Sequence, residues 1–251
     1  MSGEILLRAE GLVPAGLDDA PALDLALTGG LVVLLGPQRA RLGTWLYALA
    51  GLGAPAAGTL QLLGRPLLGP GAHRWQQLRR RVGVVTPAAP LLSIMSGLRN
   101  VMLPALYHRL APEREVERRA QTLLGEIAYD ADHGALPAHM SELQRHHLLI
   151  ARALMLEPRV LLLEQPLAGL DLPAAELLRD YIVGAVRPRV GLLLVAANDA
   201  LLARRADAVL FVGRQSVHLF DSWAALLASP ADEVQRYLEM ERRPCAALEA
   251  P

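Results

Sequence analysis

The residues best placed to do chemistry lie in the run Gly36-Pro37-Gln38-Arg39-Ala40-Arg41-Leu42-Gly43-Thr44, which follows an apolar stretch and opens into helix-forming sequence. A strand that enters a glycine loop and leaves it as a helix is a phosphate-binding device. Backbone N–H groups and the helix N-terminus face the anion, a lysine reaches the outer phosphates, and a hydroxyl holds magnesium. By spacing, Gly36, Pro37, Ala40 and Thr44 fit that device, whereas Arg39 and Arg41 stand at its inner glycines, Leu42 at its lysine and Gly43 at its hydroxyl. No change of register restores it, because all 25 basic residues are arginine and the chain contains no lysine. A side chain forced into left-handed backbone costs about 1–2 kcal/mol, and a forgone charged hydrogen bond about 1.5–3 kcal/mol. The loop is therefore expected to hold phosphate poorly. Arg39 and Arg41 are read as solvated or partner-facing cations, with phosphate attraction of their own as the alternative.

Other polar residues punctuate apolar runs farther along. Met140-Ser141-Glu142-Leu143-Gln144 opens a stretch with helical apolar spacing, Glu164-Gln165 closes the apolar run 160–163, and Asn198-Asp199 follows the apolar run 192–195. Asp171, with Pro173 two residues later, marks a helix start, the aspartate as cap and the proline in the first turn. His146 and His147 are adjacent, so on a helix they point about 100° apart and do not share a metal as an i, i+4 pair does. Both are expected at the surface.

Strands and helices must hold these residues in place, and the apolar spacing supplies both. Residues 5–8, 23–27, 31–35, 58–63 and 82–85 read as strands, and 44–52 as a helix with Trp45, Leu46 and Leu49 on one face. Pro87 and Pro90 mark a change of character. Beyond them 91–156 is helical, with 113–119 as a solvated face. Strands at 160–163, 192–195 and 208–212 alternate with helices starting at Asp171 and near Ala200, the pattern of a mostly parallel α/β sheet. Leu177, Leu178, Tyr181, Ile182 and Ala185 are the expected buried stripe of the first of those helices. Trp223, Leu226 and Leu227 form a packing patch before a short helix at 232–238.

A chain of 251 residues buries one sizeable core, and with 53% hydrophobic but only 4% aromatic residues that core is built from Leu, Val and Ala. The apolar runs are far shorter than the roughly 20 residues that cross a bilayer, and the N-terminus carries no export pattern, so a cytosolic location is expected. Equal numbers of basic and acidic residues, 25 of each, argue against the one-signed surface that binds nucleic acid. The single cysteine, Cys245, has no partner for an internal disulfide.

Taken in order, the segments resemble the ATP-binding-cassette (ABC) ATPases. Residues 140–144 with Leu148-Leu149-Ile150-Ala151-Arg152-Ala153-Leu154 look like the family signature and its helix. Residues 157–166 resemble the Walker B strand, and Ala168-Gly169-Leu170-Asp171 the D-loop. Gly58-Thr59-Leu60, Gly64-Arg65-Pro66-Leu67, Val82-Gly83-Val84-Val85, Arg99-Asn100-Val101 and Ala196-Ala197-Asn198-Asp199 fit further segments, so the likeness covers roughly residues 5–220. The segment 232–238 is similar to the tail of lipid-handling MCE/Mla-type members.

The resemblance assigns roles that this chain mostly does not fill. Glu164 stands at the magnesium-holding aspartate, one methylene longer, and Gln165 at the glutamate that polarises the attacking water, where a neutral amide cannot act as a base. Asn198 takes the switch-histidine position and Pro87 the Q-loop glutamine position, and 11–17 offers no aromatic ring for adenine. In the signature Ser141 and Gln144 remain, while Glu142 and Leu143 replace both glycines. There an added carboxylate repels the γ-phosphate that the family receives from the opposite subunit. Only the D-loop, with Asp171, is intact.

The resemblance implies a RecA-like P-loop core with a mostly parallel sheet, an antiparallel β edge and an inserted helical subdomain. The expected division is 1–86 with 157–222 as core, 87–156 as the helical subdomain, and 223–251 as C-terminal helix and tail. It implies a non-hydrolysing subunit, peripheral on the cytoplasmic face of a membrane. Such a subunit pairs with a second nucleotide-binding subunit, itself or an intact ATPase, and docks on a permease through 87–101. Cargo is expected to be lipid and no cofactor is expected, weak Mg-ATP binding being the alternative. The rival readings are a divergent active ATPase and a soluble scaffold.

Overall fold

The computed structural model describes residues 4–17, 19–37, 41–53, 55–67, 78–126, 129 and 131–242. In chain order its elements are β1 (Leu7–Val13), β2 (Leu23–Leu27), β3 (Gly30–Leu35), α1 (Leu42–Leu49), β4 (Ala57–Leu62), β5 (Arg65–Pro66) and β6 (Val82–Val85). Then come α2 (Gly97–Tyr107), α3 (Glu113–Glu126), α4 (Glu142–Leu154), β7 (Val160–Glu164) and α5 (Leu172–Tyr181), which runs on into a π-turn (Ile182–Val186). The chain continues with β8 (Leu192–Ala196), α6 (Ala200–Ala203), β9 (Ala208–Val212), β10 (Val217–Phe220), α7 (Trp223–Leu227) and α8 (Asp232–Arg242). A four-stranded sheet has the order β2-β1-β4-β5 and a six-stranded sheet the order β10-β9-β3-β8-β7-β6.

Two compact units divide the chain, one formed by 1–69 with 194–251 and the other by 70–193. In the first, β1 pairs antiparallel with β2 and β4, and β2 alternates buried with exposed residues, as a strand covered on one face must. The β1–β4 register slips between Glu10 and Val13. There Gly58, at φ +80°, lies so close to Gly11 that a Cβ would sit 2.1 Å from the Gly11 carbonyl oxygen, so no other residue fits. Parallel to β9, the strand β3 is buried along 31–35, which explains its unbroken apolar run.

In the second unit, β6 and β7 run parallel with Val82 opposite Val160 and Val85 opposite Leu163. The helices α2, α3 and α4 pack on one another, and the predicted helical segment 87–156 lies wholly within this unit. α5 begins where Asp171 was expected to cap it, the carboxylate accepting from Ala174 N–H at 2.9 Å.

Several expectations are corrected. β1 starts at Leu7, not residue 5, and runs on to Val13. α1 spans Leu42–Leu49 in place of 44–52, because its first turn begins directly at the glycine-loop end. Leu177 is 58% exposed, and the buried stripe moves from Ala185 to Val186. The cause is the π-turn, whose wider repeat delays the inward-facing position by one residue. β5 and β10 were not foreseen: one is two residues long, and the other is a short, half-exposed edge strand without a continuous apolar run.

Candidate functional site

In the first unit the site begins where β3 ends. Gly36 is buried and its N–H donates to Asn198 Oδ1 at 3.1 Å. Gln38, Arg39 and Ala40, and with them the predicted role of Arg39, lie outside the described residues. Arg41 caps α1 from left-handed backbone (φ 48°, ψ 60°) without a side-chain cap. Its exposed guanidinium lies 3.4 Å from the Gly16 carbonyl. Leu42, at the lysine position, is only 9% exposed and joins the apolar core, and Thr44 N–H returns to the Arg41 carbonyl at 2.8 Å. Gly16, Leu17, Pro37, Arg41, Trp45 and Arg214 line an open cleft of about 460 Å³.

Asn198 also faces α8, with its Oδ1 3.5 Å from the Tyr237 hydroxyl. The Tyr237 ring packs edge-on against Phe211 of β9, centroids 5.5 Å apart. One turn earlier Glu233 accepts from Arg214 N–H (3.0 Å), Gln215 N–H (3.2 Å) and the Ser216 hydroxyl (2.8 Å). Partial burial pushes the Glu233 carboxyl up, but these donors outweigh it and hold the group below the usual glutamate range. The sequence marks α8 as a helix but gives it no role. Its apolar spacing at Val234, Tyr237 and Leu238 is the signal that it docks.

In the second unit, the register of β6 and β7 sets Thr86 across from Glu164, and the Thr86 hydroxyl donates to Glu164 Oε2 at 2.7 Å. Pro87 follows, exposed and without a donor. The loop it begins is tied down from behind. Arg152 donates to the Ala89 and Pro90 carbonyls at 2.6 and 2.9 Å. Asn100, 0% exposed, accepts from Leu92 N–H and donates to the carbonyls of Leu92, Met95 and Ser96. Burial holds the Arg152 guanidinium below its ordinary range. Gln165 is exposed in left-handed backbone at φ 45°.

The signature start is occupied by its own side chains. Ser141 and Gln144 form a reciprocal capping box at the head of α4, Ser141 Oγ accepting from Gln144 N–H at 3.2 Å and Gln144 Oε1 from Ser141 N–H at 2.9 Å. Glu142 in the first turn is ion-paired with Arg145, and its carboxylate lies 3.6 Å from His146 Nε2. Leu143 is half-buried beside them. The histidines are not the surface residues expected. His146 is half-buried, so that burial lowers its pKa against the pull of Glu142 and the Ala168 backbone. His147 stacks edge-on against Tyr181 at 4.8 Å. Asp171 is engaged as the cap of α5.

Thr86 and Tyr237 thus partner Glu164 and Asn198, Asn100 and Arg152 hold the loop after Pro87, and Glu233 ties α8 to the 214–216 turn, none of them singled out for this by the sequence. What the two arrangements do chemically is satisfy their own polar groups: Asn198 meets a backbone N–H, Glu164 a hydroxyl, Ser141 a helix end and Glu142 an arginine.

Comparison with known proteins gives a consistent result. Residues 26–168 match the family model for ABC transporters. The chain is 30% identical over 214 residues to the lipoprotein-releasing system ATP-binding protein LolD of Gluconobacter oxydans, across 82% of this chain and 92% of that protein. It is 33% identical over 184 residues to LolD of Paramagnetospirillum magneticum, across 72% of this chain and 80% of that one. Among solved structures, the fold is similar to the ATP-binding cassette MJ0796, seen as a dimer in a post-hydrolysis state with ADP and Pi. The TM-score is 0.75 at 20% identity, over 86% of this chain and 98% of that one. cbiO1 of Clostridium perfringens, part of the ABC transporter complex cbiONQ, gives 0.79 at 21% identity over 97% of each chain. At those identities the structural likeness is one of fold, the ABC ATPase fold.

Proposed function

The chain belongs to the ABC transporter family, and we propose that it is a nucleotide-binding subunit that has given up hydrolysis at its own site and serves as a coupling piece. It pairs with a second such subunit, a copy of itself or an intact ATPase, and docks through 87–101 on a permease at the cytoplasmic face of a membrane. The observation that carries this reading is Leu42, buried at the start of α1 in a chain with no lysine, where the phosphate-binding amine would stand. Gln165 supports it, since a neutral amide takes no proton from water. The residues present also do not fit a magnesium nucleotide: the carboxylate of Glu164 is engaged by Thr86, and Gly43 offers no hydroxyl. Described residues contain no helix long and apolar enough to cross a membrane, which suits a peripheral subunit.

A lipid-linked cargo is supported by relatives named for lipoprotein release. The MCE/Mla likeness rests on the α8 segment alone. Calorimetric titration of the purified chain with Mg-ATP, beside an intact ABC ATPase, tests the reading. No heat and no thermal stabilisation at millimolar nucleotide are expected. Saturable binding would favour a second reading, a divergent ATPase that replaces the lysine with arginines, for which the observation is that Arg41 and Arg214 line one cleft.

A further inference from the structure

Resting on that reading, we propose that Thr86 and Glu164 form a ligand-free latch: Thr86 is a positioning residue that takes the partner role a metal would have at Glu164 and so fixes the base of the loop 87–96 without nucleotide. The pair is set by strand register, since parallel β6 and β7 bring Val85 opposite Leu163 and the next residues opposite each other. The hydroxyl-to-carboxylate distance of 2.7 Å is that of a strong charge-assisted bond. Thr86 is buried, so water competes little for the contact.

Side-chain length is what makes the latch close. An aspartate at 164 would draw the carboxylate back by about 1.5 Å, one carbon–carbon bond, and leave the hydroxyl out of reach. The family position, shorter by a methylene, suits a metal; the longer side chain here suits a neighbour on the next strand. From Thr86 the connection continues into the loop. Its Oγ1 accepts from Ala88 N–H at 3.2 Å and its carbonyl from Ala89 N–H at 3.1 Å, and beyond these Arg152 and Asn100 hold Ala89, Pro90 and Leu92. The end of β7, the end of β6 and the loop are therefore one braced path inside the second unit. Under the coupling reading this is what a non-hydrolysing subunit requires, a docking loop whose shape does not wait on nucleotide.

Hydrogen–deuterium exchange on the full chain tests the latch, read at the amides of Ala89 and Leu92 beside global thermal unfolding. Glu164→Asp leaves Thr86 and the acceptor of Ala88 in place and only shortens the reach. It is expected to raise loop exchange about tenfold, the loss of one charge-assisted hydrogen bond, with α4 exchange unchanged. Thr86→Val is expected to do the same, and Thr86→Ser, which restores a hydroxyl, to return exchange to the wild-type rate. Wild-type exchange in Glu164→Asp would overturn the latch. Should Thr86→Val fail to fold, the aspartate and serine variants decide the matter between them. The parent reading stands or falls separately on the Mg-ATP titration of the wild-type chain. Nucleotide binding there with a loop still opened in Glu164→Asp sinks the non-hydrolysing role and keeps the latch, whereas a silent titration with an unchanged loop sinks the latch alone.

Discussion

Position 42 shows what a single residue decides. A leucine there adds apolar contact to the start of α1, whereas a lysine would bring a charged amine to a position that is only 9% exposed. Under the proposed non-hydrolysing reading, restoring one group is not enough, because amine, hydroxyl and base act as a unit. The triple variant Leu42→Lys, Gly43→Ser, Gln165→Glu is therefore expected to release no phosphate above a buffer blank while Arg39 and Arg41 remain. Strong turnover in a phosphate-release assay would show that the arginines obstruct nothing. The departures at 42, 43, 165 and 198 are legible in the sequence because the chemistry calls for an amine, a hydroxyl, a carboxylate and a histidine at those places, and Leu42, Gly43, Gln165 and Asn198 supply none of them. Their partners are not legible: Glu164 meets Thr86 across 78 positions and Asn198 meets Gly36 across 162. Pairings at that separation come from strand order, which local spacing does not contain.

Elements with long apolar runs, β3, β7, β8 and β9, were placed from the sequence to within a residue or so, because burial on both faces demands the run. The half-exposed β10 and the π-turn after α5 were missed, since neither leaves a periodic apolar signal. The sequence marks α8 as a helix, which docks by its apolar face and is tied at its first turn to the turn after β9 by one carboxylate. Glu233 has its folded pKa held below the ordinary 4.5, so its contribution is full above that value and is lost as pH falls through the folded pKa. Acidification is thus expected to expose 228–242 to limited proteolysis before the rest of the first unit, and Glu233→Gln to flatten that acid dependence. Equal cleavage at acid and neutral pH in the wild type would remove the carboxylate from the account. In the second unit Asn100→Ala strips four hydrogen bonds from the loop and from the head of α2. With buried polar groups left unpaired, it should cost about 2–4 kcal/mol, measurable as a lowered denaturant midpoint with an unchanged slope.

The whole chain carries no net charge and no lysine, so it has no net charge of one sign to steer a partner. Under the coupling reading, shape and apolar contact then carry recognition, and the loop 87–96 of the second unit offers both. Leu92 is 42% and Ile94 86% exposed on the loop that Asn100 and Arg152 brace from behind, so two apolar side chains stand on a backbone that is already ordered. Burying one such side chain against a partner is worth about 1.5–3 kcal/mol, and a braced loop loses little entropy in doing so. Leu92→Glu with Ile94→Glu should therefore abolish copurification with a permease from detergent-solubilised membranes. Exposed substitutions of this kind move stability by only about 0.5 kcal/mol, so the melting temperature should hold. A variant that still brings down the permease would move the docking face away from this loop. If the wild-type chain brings down no membrane protein at all, the scaffold reading gains, since a rigid apolar loop serves a soluble partner equally well.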